Sequence, residues 1–220
     1  MKRLFVGAFV FTLIGCTSIQ AESNSETNSA ISVMMLADET RGRWTSVACE
    51  LRPQPYQEGQ PVQPFHLKRD FTYDDNLFEG TIVSYLDPLC QVPIVSYTFT
   101  GHLVSHGASP AAPGAEKTDY VLDRSLILTP KAQAFADQLN LLPAGICGTE
   151  SWRVDVSQSI KETGCPVLNL EKGEIYIDHD IMYVDGDFLF FGAKPVDGSN
   201  FDSEEARPVQ LQVPLKRVTP

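Results

Sequence analysis

Charged and polar side chains that keep step with apolar ones are where this sequence could do chemistry. Arg69 has the parity of Phe71 and Tyr73, and Arg124 that of Leu122 and Leu126. Gln158 has the parity of Val156 and Ile160, while Glu50 and Arg52 share that of Trp44. Residues two apart on a strand point to one face. These polar groups are therefore expected where their neighbours bury, and buried charge is costly unless paired. Two chemistries fit. One is a buried ion-pair network, such as Glu50 with Arg69 or Arg124. The other is a polar handle, an arginine meeting a ligand carboxylate at the end of an apolar pocket. The two are compatible.

Catalytic and metal chemistry finds less support. The chain has no G-x-S-x-G elbow, no P-loop and no H-E-x-x-H. Its four histidines, His66, His102, His106 and His179, are scattered. His102 and His106 share a strand face, but at ~3.3 Å per residue they lie ~13 Å apart, too far for one metal. In Asp178-His179-Asp180 a strand sends the histidine to the opposite face from the two aspartates. Asp197 to Asp202 carries loop oxygens but lacks the closing glutamate of an EF-hand, so turn chemistry is the better reading. The expectation is a non-enzymatic protein with no cofactor and no metal.

The cysteines point to export. Met1-Lys2-Arg3 precedes an apolar run from Leu4 to Ile14, the pattern of an export signal and too short to span a bilayer. Leu13-Ile14-Gly15-Cys16 at its end resembles a bacterial lipobox. That implies a signal over 1–15, lipidation of Cys16, and multiple acyl chains that anchor stably. Thr17, not Asp, follows Cys16, which by the sorting pattern implies an outer-membrane lipoprotein facing the periplasm. Ordinary cleavage after Ala21 and secretion is the alternative, and a chance cysteine in an uncleaved segment is a third. The Ser/Asn/Glu-rich stretch from Thr17 to Ala30 reads as a tether within residues 16–39. Ala30 to Ala37 is a short apolar patch, a first strand or a helical turn. The remaining cysteines, Cys49, Cys90, Cys147 and Cys165, form an even set, as two disulfides require. Of three possible pairings, Cys49–Cys90 and Cys147–Cys165 are favoured because each closes a local loop. Zinc is the alternative, but no pair has C-x₂₋₄-C spacing.

The formal net charge is −11, and removing Lys2 and Arg3 with the signal makes it −13. Such a surface repels phosphate backbones, so nucleic acid is excluded as a partner, and membrane contact falls to the Cys16 anchor. From Gly42 onward the period is two. Strands are predicted over 43–51, 67–74, 78–86, 95–103, 120–128, 152–160, 174–184, 187–192 and 209–215, with Asp185-Gly186 as a hairpin turn. Thr129 to Leu142 is the exception: Thr129 is placed to cap a helix, Pro130 fits its first turn, and Ala132, Phe135, Ala136 and Leu139 share a face. Loops are expected over 53–64 and 107–114. This gives one mainly β domain over 40–218, with about nine or ten antiparallel strands and one α-helix. That many strands require a barrel, lipocalin-like in general architecture, or a strongly curled sheet.

At this point the residues become specific. Gly42-Arg43-Trp44-Thr45-Ser46 and Cys49-Glu50-Leu51-Arg52-Pro53 resemble the opening of the APCDD-type domain, named for the adenomatosis-polyposis-coli down-regulated protein. Arg69-Asp70-Phe71 and Gly80 follow, then Tyr85-Leu86-Asp87-Pro88-Leu89-Cys90, which resembles Y-x-D-P-x-C. Gly101, and Gly114 through Glu116 to Tyr120, resemble the G…G-x-E-x-x-Y stretch. Cys147-Gly148 through Trp152, and Gln158 to Gly164-Cys165, fit C-G-x-x-x-W…Q…G-C. Phe191 to Ser199 and Val213-Pro214-Leu215 match the tail. The resemblance implies a β-barrel with an apolar pocket that takes up an acyl group. A bacterial lipoprotein has no Wnt to inhibit, so the family's signalling role is not implied.

The functional expectation is an envelope-anchored barrel that binds a fatty acyl or other hydrophobic ligand. Trp44, Phe71, Tyr73, Tyr97 and Phe99 are expected to line it, with Arg69 or Arg124 at its polar end. The competing expectation is a filled barrel that binds an envelope protein through its acidic surface.

Overall fold

The computed structural model describes residues 38–53, 64–194 and 202–219. The signal, Cys16, the tether, the 30–37 patch, most of the 53–64 loop and residues 195–201 lie outside them. Ten strands form one antiparallel sheet: β1 (Gly42–Ser46), β2 (Glu50–Pro53), β3 (Pro64–Asp74), β4 (Leu77–Tyr85), β5 (Pro93–Ala108), β6 (Glu116–Pro130), β7 (Gln158–Ser159), β8 (Tyr176–Asp185), β9 (Phe188–Phe191) and β10 (Leu215–Arg217). Eight of them close on themselves in the order β1-β10-β9-β8-β6-β5-β4-β3, and β3 pairs back to β1. The β2 strand extends from β3 and β7 lies on β6, both off the ring. The fold is therefore a closed barrel rather than an open curled sheet.

The alternation places the core where the pattern requires. On β3, Leu67, Arg69, Phe71 and Tyr73 are all buried. Register carries rows across the wall: Trp44, Phe71, Gly80, Phe99 and Leu126 form one, and Arg69, Ile82, Tyr97 and Leu128 the next. Gly80 is required by packing. A Cβ there would meet the Phe99 ring at 2.4 Å and the Phe71 ring at 2.8 Å. Both predicted disulfides are present, Cys49–Cys90 and Cys147–Cys165.

Four expectations change. The predicted 43–51 strand is two strands broken at 47–49, where Cys49 joins Cys90. The 152–160 strand shrinks to Gln158–Ser159. Asn140 is the reason: its carboxamide accepts from Trp152 N and donates to Trp152 O, taking both groups that a strand partner would use. Asp155, at φ 60°, breaks the alternation as well. The 209–215 strand reduces to β10, with Val209 and Val213 exposed and Leu211 in one isolated bridge to Gly192. Pro208 and Pro214 cannot donate to a ladder. The helix α1 spans only Gln133–Leu139, without a side-chain cap. Pro130 ends β6, Thr129 bonds Ser157, and Lys131 and Ala132 still donate to Ile94 O on β5. The chain leaves the sheet only after Ala132.

Asp185-Gly186 is a hairpin shifted by one. Asp185 pairs with Phe188, so Gly186 and Asp187 are the turn, and Gly186 takes the positive φ (57°).

Candidate functional site

The barrel interior has two zones. The first is an aromatic layer. Phe71 meets Tyr73, Phe99, Tyr120 and Phe191, with centroids 5.1–6.2 Å apart, and Phe78 meets Phe99 and Tyr120 at 6.2 and 5.0 Å. Most are tilted or edge-on, the geometry ring quadrupoles favour. The two phenols satisfy each other, Tyr73 Oη to Tyr120 Oη at 3.0 Å. Burial pushes both pKa values well up.

The second zone is polar. Glu50 Oε1 accepts from Arg69 Nε (2.9 Å) and from the Ser46 hydroxyl (2.7 Å). Its Oε2 accepts from Arg52 Nη2 at 2.6 Å. Arg69 Nη2 donates to Val213 O (3.0 Å), and its guanidinium lies 4.9 Å from the Phe191 ring centroid. The expected network of Glu50 with Arg69 is thus present. On the same face Tyr120 registers with Asp178 and Thr118 with Asp180. Asp178 is bonded by Lys194 Nζ at 3.2 Å. Asp180 is fully buried and its Oδ1 accepts from Ile181 N and Gly192 N, both at 2.7 Å. Burial pushes its pKa up to about 7, which Lys194 opposes and Asp178 reinforces.

The sequence-predicted lining residues divide between these zones. Trp44, Phe71, Tyr73 and Phe99 are buried in the apolar core. Trp44 donates to Thr40 O and lies under the Arg217 guanidinium, 4.0 Å from centroid to Cζ. Arg69 is in the polar zone. Tyr97 shares the row of Arg69 and Ile82 but is only half-buried. Burial alone pushes its phenol up to about 12, and its hydroxyl has no hydrogen-bond partner among the described residues.

Arg124 is the misplaced one: it is exposed. Thr100 registers with Ser125 while His102 registers with Val121, so β6 carries extra residues between those pairs. Residues 122–124 lie opposite the single Gly101, and this two-residue bulge turns Arg124 outward while Tyr120 and Leu126 on either side stay in phase and buried. Gly101 permits it, since a Cβ there would sit 1.9 Å from Val121 O. Gln158 is structural, its Oε1 accepting from Thr149 N and Glu150 N.

One cluster had no signal in the alternation. Asp119 lies on the outer face of β6, yet it is nearly buried because the 202–214 segment crosses it. Asp119 accepts from Arg207 Nη2 (2.6 Å) and contacts His106 Nε2 (2.8 Å) and His179 Nδ1 (2.9 Å). Burial pushes its carboxyl up, but these hydrogen bonds outweigh it and hold the pKa below the usual range. Arg207 also donates to Thr118 O, Asp180 O and Glu204. Ligand atoms of Asp119, His179 and Glu204 lie within 4.8 Å of one another, as a metal would need. A guanidinium stands among them instead, supplying the positive charge. His179 and the two flanking aspartates take opposite faces, as expected.

A closed eight-stranded barrel with an aromatic layer and a buried polar zone defines the class: an antiparallel β-barrel of the size that either fills with side chains or holds one small ligand. The family model described as adenomatosis polyposis coli down-regulated 1 matches residues 16–181. The chain belongs to that family.

Proposed function

We propose that this chain is a non-enzymatic lipoprotein of the bacterial envelope, tethered through Cys16, whose barrel holds the hydrocarbon of a fatty acyl or similar hydrophobic ligand. Tyr97 carries the reading. An inward-facing phenol that is largely buried and has no hydrogen-bond partner among the described residues is an unspent donor and acceptor beside apolar Ile82 and Leu128. A filled core satisfies its phenols internally, as Tyr73 and Tyr120 do. Family membership and a barrel of ligand-holding size support the same conclusion.

The test is lipid extraction and mass spectrometry of protein purified without detergent, with binding of a fluorescent fatty acid alongside. Co-purified lipid, and probe binding abolished by Tyr97→Asp, are expected. Absence of both would overturn the reading. The second reading, a filled barrel acting through a protein partner, would then stand. It is favoured by exposed Leu51, Leu86 and Leu89 around the Cys49–Cys90 disulfide. The anchor has its own test: Cys16→Ala should move the protein from the membrane to the soluble fraction.

A further inference from the structure

Glu50 is one carboxylate serving two guanidinium groups. Arg69 takes Oε1 and Arg52 takes Oε2, with side chains of Glu50 and Arg69 only 3% and 6% exposed. One negative charge offsets one of the two cations. The other acids facing this zone are Asp178, paired with Lys194, and Asp180, which burial keeps protonated below about pH 7 and whose Oδ1 is spent on two backbone amides. Arg52 therefore carries the surplus. Its sole side-chain hydrogen bond among the described residues is Nη2 to Glu50, so Nε and Nη1 are unspent, and 14% of the side chain remains accessible. Burial, and the charge of Arg69, lower its pKa, as expected of an under-compensated cation.

We infer that the barrel's ligand is an anionic amphiphile with a carboxylate head, received by the free edge of the Arg52 guanidinium while its chain runs inward along Ile82 and Tyr97. The inference rests on the reading of the barrel as an acyl-binding chamber. A guanidinium edge matches a carboxylate with two parallel N–H···O bonds. Glu50 lies one alternation inward of Arg52, and Leu67, opposite Glu50, precedes Arg69 of the Ile82–Tyr97 row. A singly charged head neutralises the surplus of one. A phosphate dianion would replace it with a surplus of the opposite sign.

The experiment measures displacement of a fluorescent acyl probe from the purified protein by palmitic acid, 1-hexadecanol and hexadecyl phosphate at pH 6.5, where Asp180 keeps its proton. The acid should bind at least tenfold more tightly than the alcohol. Arg52→Met should bring the acid to the level of the alcohol and leave the alcohol unchanged. Arg52→Lys, which keeps the charge without the fork, should fall between. The ratio of acid to alcohol is read within each variant, so partial unfolding does not imitate the effect. Equal binding of acid and alcohol by the unaltered protein overturns the inference and leaves the acyl-binding reading in place. Tighter binding of hexadecyl phosphate than of palmitic acid overturns the carboxylate assignment. Failure of all three to bind overturns the acyl-binding reading itself.

Discussion

Tyr73 on β3 and Tyr97 on β5 are two inward phenols of the same barrel, and they are treated oppositely. Tyr73 is 1% exposed, ringed by other aromatics and bonded to Tyr120. Tyr97 is half-buried and bonded to nothing among the described residues. The aromatic layer uses up its polar capacity internally, which makes it a stabilising element. The row of Arg69, Ile82 and Tyr97 leaves the Tyr97 hydroxyl unbonded among the described residues, and there the proposed ligand would bind.

The contrast can be broken at four points. The largest effect should come from Phe71→Ala, which removes the ring that four others contact. A loss of about 3–5 kcal/mol in chemical denaturation is expected. A loss below ~1 kcal/mol would mean that the layer is loosely packed.

Next is pH. Asp180 has an ordinary pKa of 3.8 and is raised to about 7 in the fold. Between those values the unfolded chain has released the proton and the folded chain keeps it. Stability should therefore fall as pH rises from about 4 to about 7 and level off above, by up to about 4 kcal/mol at 1.36 kcal/mol per unit. Asp180→Asn keeps an oxygen for Ile181 N and Gly192 N and should flatten that slope. An unchanged slope would place the titrating group elsewhere.

Smaller again is Tyr73→Phe, which strands the Tyr120 hydroxyl in the core at a cost of about 1–3 kcal/mol. The double variant with Tyr120→Phe should cost less than the sum of the single changes, since no hydroxyl is then left unpaired.

The smallest effect on stability should be that of Tyr97→Phe, within about 0.5 kcal/mol, because no protein bond is lost. Probe binding should still weaken several-fold. A destabilisation equal to that of Tyr73→Phe would erase the distinction between the two zones.

Much of this was legible in the chain because barrel strands alternate. The parity of Arg69 with Phe71 and Tyr73 and of Glu50 with Arg52 survived folding, and the Glu50–Arg69 pair followed from it. Arg124 failed for a local reason. A bulge opposite Gly101 takes Arg124 out of the ladder while Tyr120 and Leu126 on either side stay inward, and a bulge adds residues without changing composition. The 152–160 segment failed because a side-chain amide of Asn140 can imitate a strand edge, an interaction with no periodic signature. The Asp119–Arg207 cluster was hidden because its partners are 88 residues apart and meet only where an irregular segment crosses the outer wall. The aromatic layer was half visible: Tyr120 and Phe191 lay on predicted strands, but only closure brings them against Phe71.

That closure is made by the shortest strand of the ring. Leu215–Arg217 joins β9 to β1, pairing Trp44 with Arg217 across nearly the whole folded sequence. A polypeptide delivered from its amino end must wait, with the Trp44 edge unzipped, until this last three-residue stave arrives. Loop-closure entropy of that span is met late, so folding should be slow and set by a single distant contact. Trimming those few residues should leave the long hairpins formed but the cask leaking.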